Sequence, residues 1–285
     1  MVVVTGLAAC GPQESAPARL ESVVARVVET SPDRDSGEYR PPSPETAAAV
    51  AAAVTELLES GTVDRVPDTY RLEDITTGDD DTLEGLVEQG RPTAGNGLYV
   101  ARPPSATRSP VVVQIPHPVA DKHTEDMGTQ LFAETDAQLF MLAGAHRNAG
   151  DDSADVAHRD DSTFAAVNDA VIGADTVVVQ LHGFSADKHD DDYGEVVLSS
   201  SVDEPSPLLR QMADDLEDNG FDTCVYNGKR CRQLAATTNV QAVQARARGA
   251  EFIHIEVDHD IRDSRSDSRE LVRVIGETLR AAGVG

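Results

Sequence analysis

The stretch ADTVVVQLHGF, Ala174 to Phe184, decides how the rest of the chain is read. It is apolar and β-branched for most of its length, which is the signature of a buried strand, and it then presents His182 before a glycine. Two other stretches have the same form. PVVVQIPHP, Pro110 to Pro118, delivers His117, and AEFIHIEV, Ala250 to Val257, carries Glu256 near its end. Ligand sites in open α/β sheets lie beyond the carboxyl ends of the strands, so three such side chains can meet in one crevice.

Working outward, GLYVARP, AQLFMLAGA, GEVVLSS and TCVY read as further strands. GLYVARP and PVVVQIPHP are expected to be neighbours across a loop. Helical patterns separate the strands: PETAAAVAAAVTELLES, Thr124 to Thr135, STFAAVNDAVIG, SPLLRQMADDLEDNG, NVQAVQARARG and a last amphipathic run from Ser266 to Ala282. This alternation predicts an α/β fold of three layers, with a mixed, largely parallel sheet covered by helices on both faces. Residues 11–44 are polar, proline-rich and aperiodic, and are expected to form a disordered tether. Residues 45–285 then form the folded domain, and no internal repeat is visible.

The formal charge of −26 argues against nucleic acid or an anionic lipid surface as a direct partner. Lys122, Lys188 and Lys229 are the only lysines among 24 basic residues, a balance that suits a halophilic protein kept hydrated by surface carboxylates. Low ionic strength should destabilise such a surface. The runs Asp79 to Asp81 and Asp190 to Asp192 are read as solvated loops. Residues 1–10 end in Leu7-Ala8-Ala9-Cys10, which resembles the lipobox of bacterial lipoproteins, although nothing basic precedes it. That reading implies an extracytoplasmic, lipid-anchored protein, touching the membrane only through its anchor. The other reading of VVVTGLAAC is a short buried strand. No segment reaches the roughly 20 apolar residues of a membrane span. Cys224 and Cys231 flank a turn and either pair or remain two small buried thiols.

In EFIHIEVD the period of two sends Ile253, Ile255 and Val257 one way and Phe252, His254 and Glu256 the other. A carboxylate on that second face needs a partner if it is buried. His117 and His182 can each supply an imidazole to a catalytic metal, which takes three protein ligands and keeps a fourth position open. The third ligand comes from Asp121 or Glu125, with Asp121 preferred because its short spacing returns its carboxylate to the same strand end.

HPVAD with a following acid, then QLHGF, then IHIEVDHDIR resembles the zinc hydrolases that join carboxypeptidases to N-formylglutamate amidohydrolases and poly-gamma-glutamate hydrolases. The resemblance covers roughly Leu98 to Leu279. It departs from the His-x-x-Glu spacing of true carboxypeptidases, since Val119 and Ala120 occupy that interval. It implies a three-layer fold, Zn2+ as cofactor, and hydrolysis of an amide bond in a small peptide or amino-acid-derived substrate. It also implies Glu256 as general base. Arg147 is the candidate cation for the oxyanion, and Arg262, Arg230 and Arg232 are candidates for a substrate carboxylate. Asn239 either caps the helix that follows or lines the pocket with Gln241; His146 and His158 belong to the pocket or to loops.

No G-x-S-x-G elbow, P-loop or G-x-G-x-x-G is present. The alternative from another class is a non-catalytic, surface-anchored binding protein for cell-wall or polyanionic polymer on a degenerate hydrolase fold. A third reading is a structural lipoprotein whose histidines are merely buried.

Overall fold

A computed structural model describes residues 16–78, 82–91, 93–105, 107–188 and 193–285. The Leu7–Cys10 motif and the runs Asp79 to Asp81 and Asp190 to Asp192 lie outside the described residues. Among the described residues, ten strands form one sheet: β1 (Ala18–Arg19), β2 (Tyr70–Thr76), β3 (Thr82–Glu88), β4 (Leu98–Ala101), β5 (Ser109–Ile115), β6 (Ala137–Leu142), β7 (Val177–Phe184), β8 (Val196–Ser199), β9 (Thr223–Val225) and β10 (Glu251–Asp258). Their order is β1-β2-β3-β4-β6-β5-β7-β10-β8-β9. The central strands β6, β5, β7 and β10 are mutually parallel, while β4 on one side and β8 on the other run antiparallel to them.

The helices are α1 (Leu20–Thr30), α2 (Pro44–Ser60), α3 (Thr124–Glu134), α4 (Thr163–Val171), α5 (Pro207–Asp218), α6 (Val240–Arg248), α7 (His259–Asp263) and α8 (Arg265–Ala281). One apolar layer joins α1, α3, α5 and α8 to the sheet face carrying Val113, Leu181 and Ile255. The other joins α2, α4 and α6 to the face carrying Val112, Val178 and Phe252. The three-layer α/β architecture expected from the strand–helix alternation is the one observed, because a central parallel sheet is stable only when both faces are covered. Among the described residues, no helix is long and apolar enough to cross a membrane.

Local chemistry explains the element ends. Ser43 accepts a hydrogen bond from the backbone N–H of Thr46, and Pro44 opens α2, where a missing N–H costs nothing. Gly61 closes it at φ 74°, a left-handed conformation that glycine adopts without a Cβ penalty.

Two expectations are corrected, and one element was not foreseen. Residues 20–30, assigned to a disordered tether, form α1, and Leu20, Val23, Val24 and Val27 are buried against the sheet. The charged residues around them hide a four-residue apolar stripe, and Tyr39 further along is also buried. β4 and β5 are not neighbours, since β6 lies between them, parallel to β5 and antiparallel to β4. The β2–β3 hairpin was not anticipated, because its strands are only partly apolar. Cys224 and Cys231, left open by the sequence, are bridged.

Candidate metal centre

The central parallel strands β5, β7 and β10 end together, and that common edge carries the polar side chains. Glu256 lies opposite His182 in the β10–β7 register, and His254 lies opposite Gln180. Immediately after β5, the chain makes one tight turn: the carbonyl of His117 accepts from the N–H groups of both Ala120 and Asp121. That i,i+4 turn brings the Asp121 carboxylate back beside the His117 ring.

His117, Asp121 and His182 are each buried, and one donor atom from each lies within 4.8 Å of the others. Nδ1 of His117 is 3.4 Å and Nδ1 of His182 is 3.6 Å from Asp121 Oδ2. Among the described residues, His117 Nδ1 and Asp121 Oδ2 have no hydrogen-bond partner. The remote nitrogens are engaged: His117 Nε2 lies 2.8 Å from Asp155 Oδ1, and His182 Nε2 lies 2.8 Å from Gln180 Oε1. Two donors each about 2.1 Å from a tetrahedral cation lie about 3.4 Å apart, so the spacing fits a bound first-row metal ion. Buried imidazole and carboxylate donors without other partners are the chemistry such an ion requires.

Burial disfavours charge on His117, but the carboxylates of Asp121 and Asp155 outweigh it and raise the ring's pKa. Burial likewise works against the charge of Asp121, yet His117 and His182 hold its carboxyl well below the ordinary range. Asp155 is held down in the same way by His117, His158 and Arg147 against its own desolvation. His182 is pushed down to about 4, chiefly by burial, and is neutral at physiological pH. His254, whose ring lies 4.6 Å from that of His182 and tilted to it by 44°, is also depressed by burial. Glu256 is raised to about 8 by burial first and by the Asp121 charge second.

A cleft of about 200 Å³ opens over this edge, walled by His117, His182, His254 and Glu256 below and by Arg147, His158, Arg232 and Asn239 around the rim. Arg147 donates to Asp155 Oδ2 at 3.2 Å, and His158 lies 3.2 Å from the same oxygen. Asn239 does both things considered for it: its Oδ1 caps α6 on the N–H of Ala242, and it faces the cleft.

Other candidates stand elsewhere. Glu125 falls in the first turn of α3, grouped with His123 and Asp126 rather than with His117 and His182, because the turn at Asp121 has already reversed the chain. Arg262 is buried, and its guanidinium donates to the carbonyls of Val257, Phe184 and Lys122, which leaves it no fork for a substrate. Arg230 is exposed and is not part of the cleft wall. His146 is buried away from the cleft and accepts from the N–H of Asn148.

Sequence reading missed Asp155, Gln180 and the position of His254 against His182. Asp155 is one of five aspartates between Asp151 and Asp161, and nothing local separates it from its solvated neighbours. Gln180 carried a readable signal: an amide inside an apolar strand needs a buried partner.

No protein-family model matches the sequence, and no curated protein is similar enough to match. Among solved structures, the fold is similar to an N-formylglutamate amidohydrolase from Ralstonia eutropha JMP134, at 14% identity and a TM-score of 0.42, over 65% of this chain and 97% of that one. It is also similar to a metallo-carboxypeptidase from Burkholderia cenocepacia, at 15% identity and a TM-score of 0.44, over 87% of this chain and 71% of that one.

Proposed function

We propose that this chain is a zinc-dependent hydrolase of amide bonds, acting on small peptides, γ-glutamyl chains or N-acyl amino acids. The observation that carries the reading is the buried His117–Asp121–His182 cluster with its unpartnered Nδ1 and Oδ2 atoms at tetrahedral spacing. These three residues would hold the ion, with the carboxylate of Asp155 and the amide of Gln180 orienting the rings from behind. Bound zinc would supply Lewis-acid polarisation of the scissile carbonyl and acidify a water.

The remaining steps belong to this chain's own side chains. Glu256, largely buried beside His182, takes the proton of the attacking water and returns it to the leaving nitrogen. In the metal-free chain burial and the Asp121 charge raise the Glu256 carboxyl, and the positive charge of a bound ion would lower it again, leaving a carboxylate able to accept that proton. Arg147, on the rim, faces the charge that develops on the carbonyl oxygen. Arg232 supplies a second guanidinium on the rim for a substrate carboxylate.

The test is elemental analysis of zinc per chain, followed by turnover on a panel of N-acyl amino acids, γ-glutamyl peptides and peptides with free carboxyl termini. One zinc per wild-type chain, absent from His182→Ala, together with a Glu256→Gln variant that keeps zinc and loses turnover, is the expected result. Zinc-free wild-type protein, or unchanged turnover in Glu256→Gln, refutes it.

A further inference from the structure

Behind the cluster lies a continuous network of buried amide side chains, on the sheet face covered by α4 and α6. Gln114, Asn168, Gln180 and Gln241 are fully buried, and Asn239 is nearly so. Gln180 is the hub. Its Oε1 lies 2.8 Å from His182 Nε2 and accepts from Asn239 Nδ2 at 2.6 Å. Its Nε2 donates to Gln114 Oε1 at 2.9 Å and to Gln241 Oε1 at 3.2 Å. Gln114 in turn donates to Asn168 Oδ1, and Asn168 to Gln244 Oε1, each at 2.7 Å.

Every branch ends on a backbone group, and backbone groups have fixed polarity: an N–H only donates and a carbonyl only accepts. Asn239 Oδ1 must accept from the N–H of Ala242, so its Nδ2 must face Gln180. Gln241 Nε2 must donate to the carbonyl of Val156, so its Oε1 must face Gln180. Gln244 Nε2 donates to the carbonyl of Ala165, which fixes Asn168 and Gln114 in sequence. All three branches demand the same orientation of Gln180, with its oxygen toward His182. An oxygen there requires that His182 Nε2 carry the hydrogen.

We propose that this amide network is a positioning device that fixes the tautomer of His182 before any metal arrives, with Gln180 holding the proton on Nε2 and the Nδ1 lone pair turned toward Asp121. The opposite tautomer would have its own attraction in the metal-free protein, since Asp121 Oδ2 lies 3.6 Å from Nδ1. The amide oxygen at 2.8 Å outcompetes that longer contact. The functional consequence, ready metal uptake without a proton shift, rests on the metal reading above; the tautomer itself does not.

The experiment is 15N NMR of the metal-free, full-length chain labelled at histidine, at a pH where the His182 ring is neutral, with its signals assigned by their loss in His182→Ala. Nitrogen–proton correlations through the ring distinguish the two tautomers. The wild type is expected as the Nε2–H form. Two variants separate positioning from mere packing. Gln180→Met and Gln180→Glu both lose the donors to Gln114 and Gln241, but only methionine removes the acceptor facing His182. Gln180→Met is therefore expected to move the proton to Nδ1, beside Asp121, and Gln180→Glu to keep it on Nε2. Zinc affinity, read by competition with a chromophoric chelator, should fall about 10- to 100-fold in Gln180→Met and be retained in Gln180→Glu.

A wild-type Nδ1–H tautomer overturns the proposal even if neither variant folds. An unchanged Nε2–H tautomer in Gln180→Met overturns it as well. Wild-type protein that shows the Nε2–H form and binds no zinc upholds the positioning device and refutes the metal reading, so the two fail separately.

Discussion

Replacing Arg262 with methionine tests the framework on which the cluster is built. The Arg262 guanidinium ties together three segments: Nε donates to the carbonyl of Val257 in β10, Nη2 to that of Phe184 in β7, and Nη1 to that of Lys122 in the loop carrying Asp121. Methionine keeps the packing of the aliphatic stem and removes all the donors. Each buried carbonyl left without a partner costs about 1–3 kcal/mol. The contact with the Lys122 carbonyl is only partly buried, unlike the other two, so water can replace the lost donor there. Two carbonyls then remain uncompensated. The desolvation of a buried cation, visible in the lowered pKa of Arg262, is relieved in the variant and offsets part of the loss. The gross loss is about 4 kcal/mol and the net expectation, after that offset, is a destabilisation of about 3 kcal/mol, a large share of the roughly 5–15 kcal/mol that holds a domain together. Urea unfolding followed by circular dichroism at fixed salt should show the midpoint falling at constant slope. Arg262→Lys should recover less than half of the loss, because a single ammonium cannot reproduce a fork that spans three acceptors. A loss below about 1 kcal/mol for Arg262→Met would refute the reasoning and return Arg262 to the pool of substrate-binding candidates.

Other perturbations reach the same site and its surroundings. In Gly183→Ala the new Cβ would fall within 3.0 Å of the Arg262 guanidinium, so the strut must move; stability and zinc content should both drop, whereas an unchanged melting curve would show the contact to be yielding. Asp155→Asn removes the charge that orients His117 and should weaken zinc binding about 10- to 100-fold in chelator competition, with no effect expected if Asp155 is only a surface partner. Tyr39 is pushed up to about 12, chiefly by burial, from an ordinary 10.0. Its folded pKa therefore exceeds its unfolded one, so its stabilising contribution is complete below pH 10 and is lost as pH rises toward 12, by about 3 kcal/mol. Tyr39→Phe should flatten that part of the alkaline unfolding curve, leaving what Tyr70 and Tyr99 contribute in the same direction.

Much of the α/β architecture follows from local rules that the sequence states openly. The valine runs before His117 and His182 and the alternation in EFIHIEVD define buried strands, and period two alone puts His254 and Glu256 on the face opposite Ile253 and Ile255. The placement of His117 and His182 at strand ends was legible for the same reason. Tertiary structure decided the rest. Strand order is set by which faces bury together, not by chain order, so β6 enters between β4 and β5. The partner of His117 is an aspartate 38 residues away, chemically identical in sequence to the solvated acids around it and distinguished only by the fold that brings it to 2.8 Å. Arg262 reads as a free guanidinium until three carbonyls from different segments close around it, and the glycine of QLHGF acquires its purpose only then. Periodicity encodes what a residue faces within its own element; which distant residue it meets is a property of the packed chain, where long-range contacts are decided together.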